Sequence, residues 1–127
     1  MKIEVHRHSK STPWTYQALD DRQRVIRDKL LSDSDLEGYL VFSEVAPVIT
    51  MGRGFLHSEL KLSSEVYAKS GIELYSVDRG GRATYHGPGQ WIVFVIERIE
   101  RLTGDRRGVR KAVEYLFDGV TRALLSL

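Results

Sequence analysis

"DRGGRATYHGPGQWIVFVI", residues 78–96, is the stretch on which the fold of this chain turns. Its first part, Arg79 to Gln90, holds four of the chain's eleven glycines, one of its three prolines and one of its four histidines. Its second part, Trp91 to Ile96, is apolar without a break. A short apolar run next to turn residues reads as a strand covered on both faces, and so as a central strand of a sheet. The glycines before it permit positive φ and let a ligand reach main-chain N–H groups. Consecutive free N–H groups make a seat for a carbonyl oxygen, a carboxylate or a phosphate. Arg79 and Arg82 would add charge-assisted donors. His86, next to the stiff Gly87-Pro88-Gly89 stretch, would either meet a ligand or brace the loop. Two well-known phosphate sites are excluded. No Gly-Lys-Ser/Thr follows, as a P-loop needs, and the segment opens into a strand rather than the helix of a dinucleotide fingerprint. Composition and spacing alone therefore stop at two readings: a backbone-lined pocket between strands, or a glycine-rich connection with no ligand.

Outward from this segment, "IELYSVD" alternates as a strand that delivers the chain into the glycines. "SSEVYAKSG" before it reads as a short helix, with serine at its start and Gly71 as its stop. "YLVFSEV", Tyr39 to Val45, reads as a buried strand, with a brief extension "VITMG" beyond Pro47. Residues 2 to 7 alternate weakly as a first strand. Thr12-Pro13 is expected to start a helix, a hydroxyl cap followed by proline at the first helical position. Trp14, Ala18, Leu19, Ile26 and Leu30 fall on one face of that helix, which runs to about Leu31. At the other end Val109, Val113, Leu116, Val120, Leu124 and Leu127 recur at helical spacing. The fold class is α/β, or mixed α+β: a sheet with helices packed on it.

A chain of 127 residues with 42% apolar and 28% charged residues is long enough for one folded domain, spanning residues 1–127. It has no cysteine, which removes disulfides, thiolate metal sites and a cysteine nucleophile from these residues. The start "MKIEVHRHSK" lacks an apolar signal region and no apolar run reaches membrane-spanning length, so a cytoplasmic protein is expected. The pI is about 9.0. Arg98, Arg101, Arg106, Arg107, Arg110 and Lys111 form a basic cluster that either faces an acidic partner or is neutralised by Glu97, Glu100 and Asp105.

Beyond these general readings, "DRGGRATYHGPGQ" resembles the signature of the lipoyl(octanoyl) transferases, which reads roughly D-R-G-G-x-x-T-Y-H-G-P-G-Q. Twelve or thirteen residues in that order are highly specific. Upstream, "PVITMGRGFLHSEL" is similar to the family's P-V-x-T-x-G-R segment through Pro47, Thr50, Gly52 and Arg53. Downstream, "GVRKAVEYL" resembles the start of the helix that follows. The ATP-dependent lipoate ligases carry a different form, R-R-x-G-G-G-x-V-x-H-D-x-G-N, at this place. The resemblance implies a biotin/lipoyl ligase type of fold, a mixed sheet flanked by helices. It also implies transfer of an octanoyl group from acyl carrier protein to a lysine of a lipoyl domain, in 2-oxoacid dehydrogenases or the glycine cleavage H protein. It assigns Arg79, Gly80, Gly81, Arg82, Ala83, Thr84, Tyr85 and His86 to substrate binding. No metal, cofactor, nucleic acid or membrane is implied.

The family's chemistry uses a cysteine in a P-C-G motif as the acyl-thioester intermediate and a lysine in a K-I-x-x-x-G motif to activate it. Neither is in this sequence. Its lysines, Lys2, Lys10, Lys29, Lys61, Lys69 and Lys111, all lie outside such a motif. The resemblance thus implies the N-terminal, substrate-cradling part of the enzyme, without catalytic residues and inactive alone, which would associate with itself or with a second polypeptide. A non-catalytic module that binds acyl groups or lipoyl domains is the alternative. A hydroxyl–imidazole substitute built from Ser76, Thr84 and His86 lacks an aspartate at recognisable spacing. Trp91 stands where smaller residues are usual in the family, filling the core or narrowing the acyl slot.

Overall fold

A computed structural model describes residues 1–127. Six strands and four helices follow one another: β1 (Lys2–Arg7), α1 (Tyr16–Ser32), β2 (Tyr39–Glu44), β3 (Val48–Met51), α2 (Ser64–Lys69), β4 (Glu73–Ser76), β5 (Ala83–His86), β6 (Ile92–Ile96), α3 (Ile99–Thr103) and α4 (Val109–Leu125). A single 3₁₀ turn, His57–Glu59, lies between β3 and α2. The strands form two sheets, ordered β1-β2-β6 and β4-β3-β5, each with one parallel and one antiparallel pairing. The architecture is mixed α/β.

The chain passes from the first sheet to the second between β2 and β3. Pro47 stands at this break, where a missing N–H costs no ladder bond. Val45 and Val48 on either side are fully buried. They join Leu19, Ile26 and Leu30 of α1 and Val41 of β2 in one apolar cluster. Leu19, Ile26 and Leu30 recur at intervals of seven and four, one stripe of a 3.6-residue helix, so α1 lays a continuous face on the sheets.

α1 starts later than its sequence suggests. The N-cap is Thr15, whose Oγ1 accepts from the Ala18 N–H at 3.2 Å. Thr12-Pro13 stays outside because Trp14 is held from two sides. Its backbone N–H donates to His8 Nδ1 at 3.1 Å and its indole N–H to Ser43 Oγ at 2.7 Å.

β6 is not a central strand of its sheet; β2 is. Ile92, Phe94 and Ile96 register with Ser43, Val41 and Tyr39 on the face that α1 covers. Val93 and Val95 register with Phe42 and Leu40 on the opposite face. There Ile3 (67%) and Val5 (64%) are exposed, and Val93 is 46% exposed. The run is apolar on both faces, as read, but these residues cover only one of them.

The basic cluster is mostly spent inside the chain. The Arg98 guanidinium donates to the Leu30 carbonyl and that of Arg101 to the carbonyls of Leu36 and Ser34, tying α3 to the end of α1. Arg106 pairs with Glu100 at 2.9 Å and Arg110 with Glu114 at 3.0 Å, while Lys111 Nζ donates to the Thr103 carbonyl at 3.1 Å. No helix is long and apolar enough to cross a membrane.

Candidate functional site

The glycine segment contains a strand of its own. Ala83, Thr84, Tyr85 and His86 pair antiparallel with Met51, Thr50, Ile49 and Val48. The segment is thus a loop, Arg79–Arg82, followed by β5 and then a turn, rather than one open connection between β4 and β6.

The loop is fastened to the stretch after β3. Arg53 N–H donates to the Arg79 carbonyl at 2.9 Å, Gly54 N–H to Gly81 at 2.9 Å and Gly52 N–H to Arg82 at 3.3 Å. Thus the two motifs "TMGRG" and "RGGR", far apart in sequence, share three backbone bonds. Gly52 has to be glycine for this approach, since a Cβ there would lie 2.6 Å from the Gly81 carbonyl oxygen. Gly81 has φ +86°, a region that favours glycine.

With its carbonyls engaged, the loop leaves its donors open. The N–H groups of Gly80, Gly81 and Arg82 have no partner among the chain's hydrogen bonds. Three consecutive free N–H groups are the donor set that the glycine spacing leads one to expect, suited to a carbonyl or carboxylate oxygen. Polar side chains fix the loop from below. Thr50 is fully buried, and its Oγ1 accepts from Arg79 Nη2 at 2.8 Å. The same nitrogen donates to Thr84 Oγ1 at 3.0 Å. Arg79 therefore ties β3 to β5. Arg82 pairs with Glu59 at 2.7 Å, and the other Glu59 oxygen accepts from the Ala83 N–H at 3.1 Å.

A cleft of about 670 Å³ opens beside the loop, between α1 and the ends of β4 and β6. Val77, Phe94 and Ile96 give it apolar wall, and Tyr16, Asp20 and Arg79 give it polar rim. Most of the residues that line it are polar, Gln23, Arg24, Arg27 and Asp78 among them, so its apolar part is a single wall. Tyr16 is buried, and that burial, with the nearby Asp20 carboxylate, pushes its hydroxyl above the ordinary tyrosine value. Burial raises the Tyr75 hydroxyl too, followed by the hydrogen bond it donates to Asp20 Oδ2 at 3.1 Å.

Of the eight residues expected to bind substrate, Arg79 alone lines the cleft. Gly80, Gly81 and Arg82 form the loop beside it. Ala83 and Thr84 are bound into the Glu59 and Arg79 contacts, and Tyr85 is half exposed on β5. His86 reaches the cleft through Tyr16, their rings stacked with centroids 5.8 Å apart. Its Nδ1 meets Gln90 Oε1 at 2.9 Å, and no carboxylate or hydroxyl bonds to it. Thr84 Oγ1 is engaged by Arg79 instead, so no hydroxyl–imidazole pair is assembled. Sequence reasoning missed Tyr16 and Glu59. Tyr16 stands three residues before Leu19 on the apolar stripe of α1, a place where a hydroxyl signals a polar neighbour. Glu59 gave no local signal.

Comparison with known proteins shows which family the chain is similar to. Residues 20–127 match the family model described as the lipoyl protein ligase A/B catalytic domain. An octanoyltransferase from Alkaliphilus metalliredigens is 35% identical over 108 residues, 85% of this chain and 44% of that protein. One from Burkholderia lata is 39% identical over 87 residues, covering 68% of this chain and 32% of the relative. One from Desulfotalea psychrophila is 35% identical over 80 residues, 63% of this chain and 35% of the relative. The chain therefore spans less than half the length of these curated relatives, and over that span it belongs to the lipoyl protein ligase A/B catalytic domain family.

Proposed function

We propose that this chain supplies the acyl-binding segment of an octanoyltransferase, corresponding to the N-terminal part of that enzyme's domain. The observation that carries the reading is the loop Arg79–Arg82, with three free N–H groups, next to a cleft that has one apolar wall and that Arg79 helps to line. An eight-carbon tail needs an apolar slot, and its carbonyl needs donors already in place where charge develops during acyl transfer. The relatives named octanoyltransferase support the same assignment. The donor would be octanoyl-acyl carrier protein and the acceptor a lysine of a lipoyl domain, in the cytoplasm.

Acyl transfer between two proteins through a covalent intermediate needs an activated nucleophile. These 127 residues hold no cysteine, and His86 bonds to an amide rather than to a hydroxyl. The thiol and the lysine that activates it would come from residues beyond these, on the same polypeptide or on another. The chain by itself should then show no turnover from octanoyl-acyl carrier protein to a lipoyl domain. Sustained transfer by the purified chain, abolished in His86→Ala, would overturn the assignment of catalysis to residues elsewhere.

A further inference from the structure

The sequence His86-Gly87-Pro88-Gly89-Gln90 folds back on itself. Pro88 takes the second place of a four-residue turn, which its fixed φ suits, and Gly89 the third at φ +86°. The Gln90 N–H closes the turn on the Gly87 carbonyl at 3.1 Å. Gly87 is buried, and a Cβ there would run into the Tyr85 hydroxyl. The turn returns a side chain to the histidine four residues earlier, and Gln90 Oε1 lies 2.9 Å from His86 Nδ1. Across the face of the same ring lies Tyr16, inclined by only 18°, which also forms part of the cleft. Nothing else in the chain hydrogen-bonds to the His86 ring.

We propose that Gln90 is a positioning residue whose carbonyl oxygen holds His86 as the neutral Nδ1–H tautomer and leaves Nε2 with an open lone pair. An amide oxygen only accepts, so the ring nitrogen facing it carries the hydrogen. In a neutral imidazole the other nitrogen is then the acceptor. Nε2 so presented can take a hydrogen bond from an N–H or S–H donor, the two kinds of proton moved when an acyl group passes between a thiol and an amine. That use of Nε2 rests on the acyl-site reading of residues 79–86. The tautomer itself does not.

Nitrogen-15 labelling of the chain allows the tautomer to be read from two-bond proton–nitrogen correlations in the imidazole rings. The measurement belongs at about pH 8.5, roughly two units above the ordinary histidine value, with the His86 signals identified by their loss in His86→Asn. His86 is expected in the Nδ1–H form. Gln90→Leu removes the acceptor and should lower the ratio of Nδ1–H to Nε2–H by about fivefold, the size of one neutral hydrogen bond. Gln90→Glu keeps an acceptor oxygen at the same reach and should keep the Nδ1–H form. The Trp14 indole N–H, bonded to Ser43 29 positions away, reports whether each variant retains the fold. An Nε2–H tautomer in the unmodified chain overturns the proposal, as does an unchanged ratio in folded Gln90→Leu. Octanoyl binding, measured separately, can fail without moving this result, so the two readings fail distinguishably.

Discussion

At Gly52 a single hydrogen faces the Gly81 carbonyl oxygen, and Gly81 answers with a backbone only glycine adopts easily. A methyl at residue 52 would sit 2.6 Å from that oxygen, against backbone that is itself hydrogen-bonded. Gly52→Ala should therefore destabilise the chain by about 1–3 kcal/mol, the usual cost of overpacking. Urea denaturation measures it, and a change within about 0.5 kcal/mol would mean the loop is looser than described. A second residue-scale prediction concerns Glu4. The two bonds from the Arg22 guanidinium hold its carboxyl down, against a smaller opposing effect of burial, and His6 assists; the value falls from 4.5 to about 2. A carboxylate with a depressed folded value contributes stability that is present above the unfolded value and lost as pH falls through the folded one. Melting temperature should thus drop between pH 4.5 and about 2 more steeply in the unmodified chain than in Glu4→Gln. Parallel curves would remove Glu4 from the account.

Helices α1 and α4 have the same length, 17 residues, and both carry an apolar stripe. Their surroundings differ. Leu19 and Ile26 are fully buried under the sheets, whereas Phe117 is 72% exposed and Leu124 65%. Leu19→Ala should cost about 2–5 kcal/mol, as truncations in packed cores do. Phe117→Ser should cost within about 0.5 kcal/mol, because it touches little that folding buries. Thermal denaturation of the pair decides; equal losses would place α4 against the core. Much at this scale was legible in the sequence, because apolar periodicity reports the type of element, buried or not. The stripe of α1, the strands at residues 2–7 and 39–44 and the last helix follow from it, and the short helix from the serine at its start and Gly71 at its end. β5 was not legible, since "ATYH" has no apolar alternation and owes its strand form to pairing with β3. Nor was the start of α1, where two threonines three residues apart each look like a cap and the contacts of Trp14 select the second. The glycine segment announced free N–H groups correctly. It gave no hint that Arg79 is turned onto Thr50 and Thr84, because such contacts depend on strands brought together by the fold.

Across the whole molecule, two apolar surfaces stand open: the outer face of the β1-β2-β6 sheet around Ile3, Val5 and Val93, and the stripe of α4. Open apolar patches of this kind promote association. The isolated chain should give a light-scattering mass above 14.5 kDa, and a monomer that stays soluble at high concentration would contradict that expectation. The glycine loop and the cleft beside it are built by these residues alone, so acyl binding should survive in the isolated chain even where turnover does not. Calorimetric titration with an octanoyl ligand is the most direct check. The unmodified chain should bind, and Gly81→Val should lose binding with unchanged far-UV circular dichroism, because φ +86° forces the branched side chain to rearrange the loop. No binding by the unmodified chain, or undiminished binding by Gly81→Val, would contradict the assignment of the acyl site to this segment.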